Sequence, residues 1–197
     1  PPEDKPYPDK PLAEVKRLAE NGDEQAQWEM CSRQYKGSGG VLQDYSKSHT
    51  WLKKQTLGML QDHSRTNSIV ADFELGSRYF EERGGLKRNY EEAYEKLRSP
   101  AEHGDPEAQF IIGEIERQGL GGKAKETKKA FESYRKAAEQ GHAKAQFDLG
   151  LMYELGEGTD KKDLTKALEW YKKAAEKAIG NAQLKLGQFY DKGIPKV

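Results

Sequence analysis

Cysteine is nearly absent. Cys31 stands alone among 197 residues, so no disulfide can close within the chain, and cysteine usage leaves the compartment open. Histidine is scarce too: His49, His63, His103 and His142 never pair at i+4 and form no His-Glu-x-x-His run. A metal needs several donors converging at short range, so neither a metal nor a cofactor is expected. Long apolar runs are missing, with nothing approaching the roughly 18 residues of a membrane span. There is no excess charge of either sign, because 33 Lys and Arg balance 33 Asp and Glu. That balance argues against general nucleic-acid binding, which needs a surplus of cations on some face. No Gly-x-Ser-x-Gly elbow and no Walker-type loop occurs. Charge itself is plentiful, at 34% against 35% hydrophobic residues and a mean hydropathy of −1.02. Such a chain buries narrow apolar stripes along many exposed helices, as elongated repeat arrays do.

Self-similarity supplies the positive signal. Ala108-Gln109, Ala145-Gln146 and Ala182-Gln183 are spaced 37 residues apart, the same step back lands on Ala71-Asp72, and Ala26-Gln27 lies 45 residues before that. A bulky apolar residue follows two positions after each Ala: Trp28, Phe73, Phe110, Phe147, Leu184. Met30, Leu75, Ile112, Leu149 and Leu186 come four after, and the small residues Cys31, Gly76, Gly113, Gly150 and Gly187 five after. Glycines close each such segment at Gly39, Gly84, Gly121 and Gly158. The apolar spacing of three and four predicts a helix A, ended by residues that tolerate positive φ. A helix B follows, with Ala167, Trp170, Tyr171, Ala174 and Ala175 on one face in the last full unit, and Trp51 matches Trp170 in the first. Small residues belong where backbones approach, with aromatics filling the gaps beside them.

The reading that follows is an all-α, right-handed solenoid of antiparallel helix pairs. An extended Pro-rich segment is predicted over 1–10 and one repeat domain over 11–197. The latter divides into a half-repeat 11–21, repeats 22–66, 67–103, 104–140 and 141–180, and a half-repeat 181–197. Pro100 should kink or shorten the helix B it interrupts. The eight additional residues of the first repeat should carry helix B past Trp51 to about Leu60, followed by a polar loop over 61–66. Asp62, His63 and Ser64, adjacent in that loop, are no triad. The glycine-rich stretches 37–40 and 119–122 fall on the repeat's turn after a helix, not after a strand, so a phosphate-cradle reading fails. Cys31, in a row otherwise of Gly, reads as a small buried thiol, and His103 and His142 as solvated turn residues. Arg33 and Arg78 pair with Glu29 and Glu74 at i,i+4 and read as helix-stabilising.

The pattern Gly-x-x-x-Ala-Gln-Phe-x-Leu-Gly-x-x-Tyr-x-x-Gly-x-Gly, then Lys-Ala-x-x-Trp-Tyr-x-Lys-Ala-Ala, resembles the Sel-one-like repeat, a relative of the tetratricopeptide repeat. Residues 141–178 match almost position by position; in 104–140, Glu116 stands where Tyr is expected and Ser133 where Trp is. The resemblance implies an adaptor or interaction module without chemistry of its own, hence not an enzyme, whose partner is another protein. It also implies a concave surface lined by helix A, in rows six and nine residues after the repeat Ala. These rows read Ser32, Ser77, Glu114, Leu151, Gln188 and Tyr35, Phe80, Arg117, Glu154, Asp191. The partner-binding candidates are Ser32, Tyr35, Ser77, Phe80, Glu114, Arg117, Leu151 and Glu154. Tyr35 and Phe80 are either binding anchors or packing residues against a neighbouring repeat. Among family settings, the expectation is an exported bacterial adaptor, or an immunity protein that neutralises a type VI secretion effector. The start at Pro1-Pro2-Glu3 fits prior removal of a signal peptide and a periplasmic location. Two alternatives stand beside it: a glycan or small-molecule groove with Tyr35 and Phe80 as platforms, and self-assembly through the unpaired helices at 10–21 and 181–192.

Overall fold

The computed structural model describes residues 7–66 and 68–191. Among them the chain forms a short 3-10 helix at Tyr7–Asp9 and eleven α-helices, without a strand. It separates into two compact units, 1–88 and 89–197, with the boundary inside the 67–103 repeat. The first unit holds α1 (Leu12–Glu20), α2 (Glu24–Lys36), α3 (Tyr45–Leu52), α4 (Leu57–Arg65) and α5 (Ile69–Glu81). The second holds α6 (Tyr90–Glu102), α7 (Pro106–Gln118), α8 (Thr127–Glu139), α9 (Ala143–Leu155), α10 (Leu164–Glu176) and α11 (Gly180–Asp191). Residues 1–6 of the N-terminal segment and 192–197 of the last half-repeat lie outside the described residues.

The repeat rows become contacts. Ala26, Ala71, Ala108, Ala145 and Ala182 are all completely buried. The small residue five positions later is matched to what faces it on helix B. A Cβ added at Gly113 would lie 2.9 Å from the ring of Tyr134, and one at Gly150 would lie 2.8 Å from the ring of Tyr171. In the first repeat Cys31 takes the glycine's place and the smaller Leu52 takes the tyrosine's; both are fully buried. Volume is thereby conserved across the helix pair.

The glutamine row ties one repeat to the preceding one. Gln27 donates to the carbonyl of Ala19 at 3.1 Å, Gln109 to that of Ala101 at 3.0 Å, and Gln146 to that of Ala138 at 3.1 Å. Each reaches a C-terminal carbonyl of the previous helix B, which also accepts from the amide of Gly22, Gly104 or Gly141 three residues on. The end of helix A is fixed in turn. Gly37, Gly119 and Gly156 take the left-handed C-cap conformation, and the amides of Asp44, Glu126 and Asp163 donate to the carbonyls of Gln34, Glu116 and Tyr153. Asp44, Asn89 and Asp163 then cap the following helices.

Three expectations change. Helix B of the first repeat does not run on to Leu60: it stops at Leu52, Thr56 caps a new helix, and the supposed polar loop 61–66 is helical as far as Arg65. Leu60 and Ser64, four apart, are buried, and a serine at an apolar-stripe position hides the stripe. Pro100 does not shorten α6, which has 13 residues like α8 and α10. Lying three residues from the C-cap, it forfeits one intrahelical bond close to an end where the ladder stops anyway. His142 is no solvated turn residue either. It caps α9 through its Nδ1, which accepts from the amide of Ala145, and its Nε2 lies 2.9 Å from Glu107.

In the first unit Glu29–Arg33 and Glu74–Arg78 form i,i+4 pairs at 2.6 and 2.8 Å. The arginines do more than steady a helix. Arg33 also donates to the carbonyls of Tyr7, Pro8 and Lys10, and Arg78 to that of Gln55. Glu74, wholly buried, receives Arg83 as a second partner.

Candidate functional site

The helix A positions of the second unit carry the densest polar cluster. Arg117 at the end of α7 donates to Glu157 at 3.1 Å and approaches Asp148 of α9 at 3.5 Å. Tyr134 donates to Glu114, and Tyr171 to Glu154 at 2.6 Å. Lys185 of α11 completes the strip with a 2.9 Å bond to Glu154. Burial pushes both phenol pKa values up, reinforced by the neighbouring carboxylates, so both tyrosines stay protonated donors. The acids of the strip outnumber Arg117 and Lys185, and Asp148, which also feels His142 and Lys144, is half-buried among them. Burial raises its pKa from 3.8 to about 6, the Glu114 charge adds to the rise, and Arg117 opposes it. Its side chain retains 18% exposure, so it is reachable.

Each candidate residue now has a place. Glu114, Arg117 and Glu154 belong to this strip, with half-buried Leu151 on the helix between them. In the first unit Ser77 is buried and Ser32 and Phe80 are half-buried. Tyr35 is 4% exposed and packs edge-on against Tyr45 of its own repeat, 4.9 Å between centroids. Its ring offers almost no surface to a partner. Sequence reasoning missed Asp148, Glu157 and Lys185. Asp148 lies three residues after the repeat Ala, where Glu29, Glu74, Ile111 and Lys185 also lie, and that variability was the available signal.

Histidine serves packing. His63 stacks on Trp28 at 3.8 Å, His49 on Phe73 at 3.7 Å and His142 on Phe110 at 4.7 Å, each on the bulky row two after the repeat Ala. Burial lowers the His63 pKa. Cys31 is fully buried and its thiol pKa is pushed up by that burial, which makes it a poor nucleophile. Among the described residues no group of three or more His, Cys, Asp or Glu could hold a metal ion. No helix among them is long and apolar enough to cross a membrane.

The Sel1 repeat model matches residues 24–54, 69–95, 106–142, 143–178 and 180–197. The chain belongs to the Sel1 repeat family. Among solved structures, a Sel1 repeat protein from Oxalobacter formigenes is 37% identical with a TM-score of 0.58, over 67% of this chain and 97% of that one. A protective antigen present in uropathogenic Escherichia coli strains, displaying an SLR fold, is 28% identical with a TM-score of 0.64 over 92% of this chain. This Sel1 chain spans only 36% of that protein's length. No curated protein matches the sequence. Sel1 repeat proteins generally act as protein-interaction modules and are typically non-catalytic scaffolds.

Proposed function

We propose that this Sel1 repeat chain binds a partner protein on the helix A strip of its second unit, and that a cationic side chain of the partner sits beside Asp148 and Glu114. The carrying observation is the placement of Asp148, 18% exposed and 3.5 Å from Arg117, in a strip shared with Glu114, Glu154 and Glu157, where burial and the Glu114 charge raise its pKa. A carboxylate held in a partly dry site next to a second carboxylate, with its arginine 3.5 Å away, has unspent affinity for a positive charge. Glu154 and Glu157 extend the acidic strip, half-buried Leu151 supplies apolar contact, and Arg117 and Lys185 fix the register of the acids. An exported adaptor or an immunity role toward a secreted effector is compatible with such a surface, as is a periplasmic location.

Partner capture by an affinity-tagged chain tests this, using the wild type, Asp148→Asn and Glu114→Gln. The strip reading expects a partner bound by the wild type and weakened about tenfold or more by either substitution, the usual size for a desolvated charge contact. Affinity should fall as pH drops from about 7 through 6, where Asp148 takes up a proton. Capture that is indifferent to both variants and to pH would remove the strip from the interface.

A further inference from the structure

The first unit holds a pocket that the helix A strip does not use. It has a volume of about 440 Å³ and opens between α1 and α3 over the end of α2. Leu12, Met30, Val41 and Trp51 make its apolar walls, and Lys16, Lys47 and Lys54 surround them. No acidic residue is among its lining. A second depression shares Gln34, Val41 and Lys47 with it and continues to Leu42, whose side chain is 91% exposed.

The repeat explains why the pocket is here. Eight positions after the repeat Ala the row reads Gln34, Tyr79, Glu116, Tyr153, Tyr190. At the same level of the second unit Tyr153 packs edge-on against Phe131, 5.2 Å between centroids, with Lys166 5.3 Å above its ring. Leu12 and Gln34 occupy the corresponding places in the first unit, so that aromatic pair is missing and aliphatic walls remain. The depression near Tyr153 mixes Lys128, Lys161 and Lys166 with Glu132, Asp160 and Asp163; the charged residues lining the 440 Å³ pocket are lysines alone, and Asp44 enters only at the adjoining depression. Where Glu116 replaces the tyrosine, Ser133 replaces the partner tryptophan and donates to it at 2.9 Å. Gln34 has no such compensation: it is 9% exposed, and its buried side-chain oxygen has no hydrogen-bond partner among the described residues.

These features specify one occupant. Aliphatic walls and an indole ask for an apolar side chain, and the lysine rim asks for carboxylates. We propose that the pocket is a second binding site, which takes an apolar side chain presented on an acidic peptide segment whose carboxylates meet the rim lysines. The rim lysines are available for it. Lys47 meets only Asp44 on its own helix, at 3.0 Å and 71% exposed, Lys16 only Glu20 at 3.8 Å, and pairs of that kind contribute little. Lys54 lies 4.4 Å over the Trp51 ring. This proposal stands independently of the helix A strip.

The test is fluorescence anisotropy at low salt, titrating the full chain into a fluorescein-labelled, amidated pentapeptide Asp-Glu-Leu-Glu-Asp. Saturable binding is expected, at least tenfold weaker when the peptide's Leu is replaced by Ser or its acids by Lys. Gln34→Tyr restores the residue of three other repeats and should weaken binding at least tenfold with melting unchanged. Should that variant fail to fold, Lys47→Glu, at an exposed position, should weaken binding by a similar factor. No binding at millimolar chain, binding unchanged in both variants, or equal binding of the lysine peptide would overturn the proposal. A labelled oligonucleotide of equal charge that binds as tightly, and is likewise lost in Gln34→Tyr, would also overturn it.

Discussion

Replacing Asp148 by Asn should stabilise the second unit at neutral pH, against the usual cost of deleting a carboxylate that faces an arginine. In the folded chain Asp148 titrates near 6, against an ordinary 3.8. Raising a carboxyl pKa means that the folded state holds the proton more tightly than the unfolded state does. The associated stability is present below about pH 4, is lost as pH rises to about 6, and stays lost above it. At 1.36 kcal/mol per unit the loss is about 3 kcal/mol, with the Arg117 attraction already included in the shift. Asparagine keeps the shape without the charge, so Asp148→Asn should gain between about 1 and 3 kcal/mol at pH 7.5 and about a third of that at pH 4.5. Urea unfolding followed by Trp170 fluorescence, in a Trp28→Phe and Trp51→Phe background, reports the second unit. The reasoning is refuted if the difference between variant and parent does not change between those pH values. It is equally refuted if the variant is the less stable at pH 7.5.

Other expectations follow from contacts already described. Gly150→Ala should destabilise the chain by about 1–2 kcal/mol despite alanine's better helix propensity, because the new methyl would meet the Tyr171 ring at 2.8 Å; thermal melting by circular dichroism reads this. Glu74→Ala strands the buried Arg78 and should cost about 3–5 kcal/mol, measured as a fall in urea midpoint. Gln146→Ala removes the 3.1 Å bond to the Ala138 carbonyl and should cost about 1 kcal/mol, with faster amide exchange at the end of α8. Cys31 should resist a thiol reagent such as dithionitrobenzoate in the folded chain and react within minutes in denaturant; rapid labelling without denaturant would contradict its burial.

Rows that repeat at a fixed step were legible in the sequence because each performs the same contact in every unit. The Ala row, buried five times, is of this kind, and the small-residue row is so at Gly113 and Gly150, whereas Gly187 of the last half-repeat faces open space. So was Cys31, since its row dictated a small residue under a neighbouring helix. What escaped were the compensated exceptions. The helix at Leu57–Arg65 was hidden because Ser64 fills a stripe position, and Pro100 looked more disruptive than a position near a helix end allows. The glutamine row was visible as a pattern, but its purpose depends on where the preceding helix stops. For the proposed strip, Glu114, Arg117 and Glu154 were named from family register, whereas Asp148 acquires its character from its burial and from the charges of Glu114 and Arg117 around it. Tyr35 is the converse: an aromatic in a variable row, which the fold spends on Tyr45.

The pairing of Cys31 with Leu52, against Gly113 with Tyr134 and Gly150 with Tyr171, bears on how such chains diversify. Cysteine opposite tyrosine would collide, whereas glycine with leucine at these two positions occurs in the chain itself, at Gly76 and Leu97. A helix B that carries tyrosine therefore cannot be separated from its glycine-bearing helix A, and for such pairs the heritable cassette is the hairpin. Chimaeras cut between α9 and α10 should fail where those cut between α8 and α9 succeed, and recombination that respects the hairpin can shuffle binding surfaces without reopening the interior.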